Sequence, residues 1–386
     1  MTIDNPVVPS DTCSVQAEVR GAVGFITLNR PKALNALSLE MVRLLTKYLL
    51  AWRDDPAVKA VAVRGMGKSG AFGAFCAGGD IRFFHQAALS KNAELEDFFT
   101  EEYTLNHLIH IFPKPYIVFM DGIVMGGGMG LCGHGRARVT PAAPMSTLRI
   151  ATDRTKMAMP ETLIGLFPDV GGGYFLSRCP GRVGEWLALT GEAIGAAEAQ
   201  AFGLVDTCFA SDQLPLAWDA LASLDLSAAN PLDAWLATYS VAAHACKSRP
   251  SGLIDHYFSQ KSVSAIVTAL QSDSGEWAQQ TAAALLKRSP LMLHVTLAQI
   301  RRARNLSFAE DLRMERDMVH HCFHTRHLGR AGESSETVEG IRALAVDKDT
   351  APRWNPERIE AVHPNSVDPF FASPWTQQDH PLRDLT

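Results

Sequence analysis

Val58-Lys59-Ala60-Val61-Ala62-Val63-Arg64 and Tyr116-Ile117-Val118-Phe119-Met120 are short apolar runs, rich in β-branched and aromatic residues and bounded by turn signals. Runs of this kind suit strands covered on both faces, as in a parallel sheet. Between them, residues 92–111 suit a helix. Upstream, the alternation through Val19, Ala22, Gly24, Phe25, Ile26 and Leu28 predicts two strands turned at Arg20-Gly21, and Asn29-Arg30-Pro31 breaks the second. Ser38 can cap a helix whose apolar stripe is Met41, Leu44, Leu45, Tyr48, Leu49 and Trp52, stopped by Asp54-Asp55-Pro56. Strand, helix, strand, helix, strand predicts an α/β fold with a parallel sheet and crossovers.

Beyond about Ser211 the texture becomes Ala/Leu-rich with helical periodicity. Helices are expected to open near Ser274, at Ser289-Pro290, where proline fits the first turn, and at Ser307-x-x-Glu310, a capping box. The expected organisation is a tail over 1–14, a core over 15–210, a helical region over 211–365 and a Pro-rich tail over 366–386. The chain has 386 residues with 36 basic and 41 acidic side chains, a balance that argues against a nucleic-acid or anionic-membrane surface. No apolar stretch reaches membrane-spanning length. No basic-then-apolar leader opens the chain, so a cytoplasmic protein is expected. The seven cysteines are scattered, without a C-x-x-C pair, and read as reduced thiols.

Three glycine-rich segments could bring backbone amides close to a ligand: Cys76-Ala77-Gly78-Gly79-Asp80, Gly126-Gly127-Gly128-Met129-Gly130 and Asp169-Val170-Gly171-Gly172-Gly173. If the first two set N–H groups at helix starts, they would receive negative charge developing on an acyl oxygen. The bland reading is tight turns and close packing. Gly128-Met129-Gly130-Leu131-Cys132-Gly133 also matches the dinucleotide spacing, with Asp153 downstream, but too late in the chain for a first βαβ unit.

Glu161 and Asp169 sit among Met159, Leu163, Leu166, Phe167 and Val170, surroundings unusual for carboxylates without a task. Gly165 and Pro168 break any continuous helix between them and permit convergence. The competing reading makes one a helix cap and the other a turn residue. His320 and His324 stand four apart in His320-His321-Cys322-Phe323-His324; with no acid in the local motif they read as cations near a helix C-terminus. Cys76 and Cys132 read as buried and inert.

In combination these segments are more specific. Leu28-Asn29-Arg30-Pro31-Lys32-Ala33-Leu34-Asn35-Ala36-Leu37, Ala74 through Ile81, and Gly126-Gly127-Gly128 resemble, in order and spacing, the enoyl-CoA hydratase/isomerase (crotonase) superfamily. The resemblance implies a spiral of ββα units with a helical C-terminal extension. It also implies that the Ala77 and Gly127 amides hold a CoA thioester carbonyl, and that Lys32, Ala33 and Leu34, with Gly78, Gly79, Asp80 and Ile81, line the CoA path. A hydratase of this superfamily carries two glutamates, and the first position is Gly130 here; glycine cannot hold or deprotonate water.

Pro160-Glu161-Thr162-x-Ile164-Gly165-x-Phe167-Pro168-Asp169-Val170-Gly171-Gly172-Gly173, with Met314-Glu315 and the run from Glu339 to Asp349, is similar to the 3-hydroxyisobutyryl-CoA hydrolase branch. The resemblance implies a thioester hydrolase with Glu161 as nucleophile or base and Asp169 orienting the acyl hydroxyl or water. Glu102 matches a substrate-contacting position. CoA would arrive within the substrate, with no metal or redox cofactor needed, and trimers or dimers of trimers would be the assembly. The rivals are a hydratase or isomerase, an NAD-dependent oxidoreductase and a non-catalytic acyl-CoA binder. An extra segment near 137–150, just ahead of Glu161, bears on which acyl group is taken.

Overall fold

The computed structural model describes residues 13–133, 147–226, 228, 231–242 and 251–386. Residues 1–12 of the expected tail and most of the extra segment near 137–150 lie outside them. Instead of the sequential blocks expected from texture, contacts group the chain into two compact units, each drawn from three stretches: 1–79, 108–157 and 194–246, and then 80–107, 158–193 and 247–386. Sequence texture reports local periodicity, whereas these groupings follow long-range contacts.

Among its described residues the first unit holds an eight-stranded sheet. Val15–Arg20 pairs antiparallel with Val23–Leu28 around the Arg20-Gly21 turn, in the register Arg20 opposite Val23. Val23–Leu28 then runs parallel to Ala60–Gly67, with Val23 opposite Ala60. Ala60–Gly67 runs parallel to Tyr116–Met120, and Tyr116–Met120 to Thr147–Thr152. Tyr116–Met120 is buried at every position, which is why it lacks alternation: both faces are covered. Thr207–Phe209 extends the parallel set, and Ser240–Val241 adds an antiparallel edge.

The strand Thr147–Thr152 contains Arg149-Ile150, the end of the extra segment near 137–150. One side of the sheet packs on Trp218 and Trp235, with Phe25, Phe119 and Phe209 against them. The helix Leu39–Asp54 is capped by the Ser38 side chain and buries Met41, Leu45, Leu49 and Trp52, as its 3.6-residue stripe requires.

The second unit is helical among its described residues. Ser289 caps Pro290–Ala303, and Ser307 with Glu310 forms the reciprocal capping box on Phe308–Phe323. Glu276–Leu285 opens at Gly275, close to the expected Ser274 start. The helix expected over 92–111 spans Glu94–His110, and its residues up to 107 belong to this unit. The Pro-rich tail is held down: Leu382 is buried, and the Arg313 guanidinium donates to the Leu385 carbonyl at 2.8 Å.

Candidate active site

In the first unit two loops lie side by side. Cys76 bridges Val124, and the Met125 N–H donates to the Cys76 carbonyl at 2.9 Å. Gly78 has φ +103, and a Cβ there would stand 3.5 Å from the Gly127 nitrogen and 3.2 Å from the Met125 carbonyl oxygen. The positive φ, rather than lack of space, is what favours glycine there. Gly127 opens the short helix Gly127–Gly130, so its N–H has no intrahelical acceptor. Among the described residues it meets no other acceptor.

The partner expected on the first loop needs correction. The Ala77 N–H donates to the Leu34 carbonyl at 3.0 Å, so it is spent on the fold. The Gly79 N–H, two residues on, meets no acceptor among the described residues. Gly79 and Gly127 therefore each carry an unspent amide on adjoining loops, an arrangement suited to a carbonyl oxygen gaining negative charge.

The same hydrogen bond ties this loop to the turn Pro31–Ala33, where Leu34 and Asn35 both have positive φ. Asn35, fully buried, donates to the carbonyls of Met66, Ala74 and Phe75 at 3.0 Å each and accepts from the Arg30 N–H at 2.8 Å. It fastens the Lys32–Leu34 turn to the Gly78-Gly79 loop, a positioning role that sequence reading passed over. Lys32 itself is exposed, free to meet an anion such as a phosphate.

In the second unit three carboxylates are buried together. Glu161 begins a single 3-10 turn, Glu161–Ile164, closed by Gly165 at φ +70. That break turns the chain back, as Gly165 and Pro168 foretold. Glu161 is 6% exposed, Asp169 5% and Glu102 2%. Burial pushes the Glu102 carboxyl well up, reinforced by the charges of Asp169 and Glu161. Burial and then Asp169 push Glu161 up, and burial lifts Asp169 to about 6. Acids this poorly solvated and this close in charge interaction titrate as a set.

Among the described residues, one oxygen of Glu161, Oε2, and one of Glu102, Oε1, have no hydrogen-bond partner. Asp169 differs: the buried Tyr103 hydroxyl donates to its Oδ2 at 2.9 Å, which counters part of the upward shift. Tyr103 adjoins Glu102 in sequence, yet nothing local marked it as a partner of Asp169.

The loop after Asp169 is strained and clamped. Val170 has φ +56, costly for a β-branched residue by about 1–3 kcal/mol. Glu315, from the helix Phe308–Phe323, accepts the Gly171 N–H at 2.7 Å and the Gly173 N–H at 2.9 Å. Gln299 donates to Glu315 at 3.0 Å and to the Pro168 carbonyl. Asp311 accepts the Tyr174 N–H at 2.8 Å. A Cβ on Gly173 would lie 2.4 Å from an Asp311 oxygen, so the third glycine run is fitted to these acids rather than to a ligand. Burial raises Glu315 well above its ordinary range, with the charge of Asp311 adding to it, and burial raises Asp311 to about 7.

Unspent amides on paired glycine loops, together with buried acids following Pro160, can be compared with known proteins. Residues 23–371 match the enoyl-CoA hydratase/isomerase family. The chain belongs to that family. It is 39% identical to 3-hydroxyisobutyryl-CoA hydrolase, mitochondrial, from Xenopus tropicalis, over 92% of this chain and 87% of that one. It is 37% identical to probable 3-hydroxyisobutyryl-CoA hydrolase 3 from Arabidopsis thaliana, over 92% and 91%. A crystal structure described as a carnitinyl-CoA dehydratase from Mycobacterium thermoresistibile superposes with a TM-score of 0.81 at 37% identity, covering 93% of this chain and 96% of that one. An enoyl-CoA hydratase from Rhodobacter sphaeroides gives 0.79 at 33%, covering 94% and 98%. The fold is that of the family, with a helical C-terminal part.

Family membership places the remaining motifs. The dinucleotide spacing at Gly128 is a packing feature: a Cβ there would meet the Cys76 carbonyl oxygen at 2.3 Å. Asp153, the would-be ribose acid, accepts the Ser211 N–H at 3.0 Å. Burial pushes the Cys132 thiol up, as expected of an inert cysteine. Asp80 and Ile81 form the cap and first residue of the helix Ile81–Ser90. No helix among the described residues is long and apolar enough to cross a membrane.

Proposed function

We propose that the protein is an acyl-CoA thioester hydrolase that converts 3-hydroxyisobutyryl-CoA to 3-hydroxyisobutyrate and CoA, a step of valine breakdown. The observation that carries this reading is Gly130 standing where a hydratase of the family holds its first glutamate, while Glu161 and Asp169 remain as buried acids. The amides of Gly79 and Gly127 polarise the thioester carbonyl, each donor contributing about 3–4 kcal/mol if oxyanion-site measurements elsewhere transfer. Glu161, whose Oε2 has no partner, either attacks that carbonyl or takes the proton of the water that does. Its ionised form is the competent one in both routes. Asp169, oriented by Tyr103, and Glu102 hold the acyl hydroxyl or water. Lys32, Ala33 and Leu34 lie along the CoA path, with Gly78, Asp80 and Ile81. The reaction as written needs no metal and no redox cofactor, CoA being part of the substrate.

Structural neighbours named as a dehydratase and a hydratase keep the lyase reading in view; Gly130 is the observation against it. Purified protein given 3-hydroxyisobutyryl-CoA and crotonyl-CoA separates the two. Free thiol from the first alone is expected. Loss of the enoyl absorbance of the second without thiol overturns the assignment. Single turnover in ¹⁸O-water distinguishes the Glu161 routes, since only the nucleophile leaves label in the protein. The compartment is proposed as cytoplasmic, although the vertebrate relatives are named mitochondrial; the assembly is proposed as a homo-oligomer.

A further inference from the structure

His320 and His324 acquire, in the fold, the acid that their local motif lacks. Glu96, on the helix Glu94–His110, places Oε1 3.2 Å from His320 Nδ1 and 2.8 Å from His324 Nε2. All three ligand-bearing atoms lie within 4.8 Å of one another. A tetrahedral ion with metal–nitrogen bonds of about 2.0–2.1 Å holds its ligand atoms roughly 3.3 Å apart, close to the 3.2 Å spacing and about 0.5 Å wider than the 2.8 Å one. The two imidazoles stack at 4.2 Å between centroids.

We propose that Glu96, His320 and His324 form a binding site for a borderline divalent ion of the zinc type. Two nitrogens and one oxygen suit zinc, copper(II) or nickel(II) over magnesium or calcium. A cavity of about 530 Å³, lined in part by Glu96 and His324, adjoins the cluster, and His324 is half exposed, which leaves room for a water ligand. Arg316 pairs with the other Glu96 oxygen, Oε2, and donates to Thr100 Oγ1 at 3.0 Å. It orients the carboxylate as an outer partner does, and its charge weakens the site without occupying Oε1. Trp375 packs 5.0 Å from the His320 ring and fixes its plane. A bound ion would join the helix bearing Glu102 and Tyr103 to the helix bearing Asp311 and Glu315.

The test uses the full chain, stripped with chelator and dialysed. Zinc chloride is titrated calorimetrically, and cobalt(II) is followed by its visible spectrum. One saturable site per chain is expected, with a cobalt spectrum of nitrogen and oxygen ligation. Glu96→Gln, His320→Ala and His324→Ala should each weaken binding about tenfold or more. His324→Ala removes a half-exposed ring, so its unchanged apo melting temperature separates lost ligation from lost folding. Absence of saturable binding in the parent, thiolate bands in the cobalt spectrum, or unchanged affinity in His324→Ala overturns the proposal.

Discussion

Replacing Tyr103 by phenylalanine removes one hydroxyl and leaves the ring in its packing. The lost bond is the 2.9 Å donation to Asp169 Oδ2, buried at both ends. Burial and the surrounding carboxylates push the Tyr103 hydroxyl well up, so it stays a donor throughout the working pH range. A hydrogen bond to a charged group is worth about 1.5–3 kcal/mol. At about 1.4 kcal/mol per pKa unit, that corresponds to roughly one to two units. Asp169 sits at about 6 with the bond present, and its loss moves the carboxyl further up. The assay is kcat/KM for thiol release from 3-hydroxyisobutyryl-CoA across roughly pH 5 to 9. The acid limb belongs to the carboxylate set, so its midpoint should rise by about one to two units while the alkaline plateau is largely kept. An unmoved midpoint, or a loss uniform across pH, would refute the role given to this bond.

Glu161→Gln should abolish most thiol release while leaving acyl-CoA binding, checked by turnover and calorimetry; full turnover in the variant would show that another residue cleaves the thioester. Glu315→Ala strands the Gly171 and Gly173 amides and should cost about 2–5 kcal/mol in urea unfolding; a change under about 0.5 kcal/mol would mean that the clamp is idle. Gly128→Ala drives a methyl against the Cys76 carbonyl. It should lower kcat sharply by displacing the Gly127 amide, and wild-type turnover would count against the amide assignment.

Local signals and long-range pairing divide what was legible. The sheet was readable because its buried runs and the Arg20-Gly21 turn are contiguous. Ser38, Ser289 and Ser307 announced helix starts because a cap acts within one turn. Glu161 and Asp169 stood out as acids among apolar neighbours, and Gly165 showed that the chain turns between them. The roles of Tyr103, Asn35 and Glu315 were not legible, because each bonds residues far away in sequence. Ala77 was misassigned for the same reason, since which amide of its loop stays free depends on the Leu34 carbonyl. The paired histidines looked unaccompanied because Glu96 reaches them from another helix.

Three buried carboxylates also set how the fold responds to pH, and the direction is the reverse of the usual one. A salt-bridged acid is depressed and adds stability as pH rises. Asp169 is instead raised from 3.8 to about 6, so the folded state keeps its proton longer than the unfolded chain does. Stability is full below the unfolded value, falls as pH climbs through about 6, and ends lower by on the order of 3 kcal/mol. Asp169→Asn should remove that slope, making the variant more stable than the parent at neutral pH and not in acid. Urea unfolding at both pH values reads the difference, and equal shifts at the two would show that Asp169 carries no such penalty. A carboxylate kept at that cost, on a strained loop held by Glu315, makes sense if cleaving the thioester needs a poorly solvated acid. Nothing in the packing requires a charge at that position.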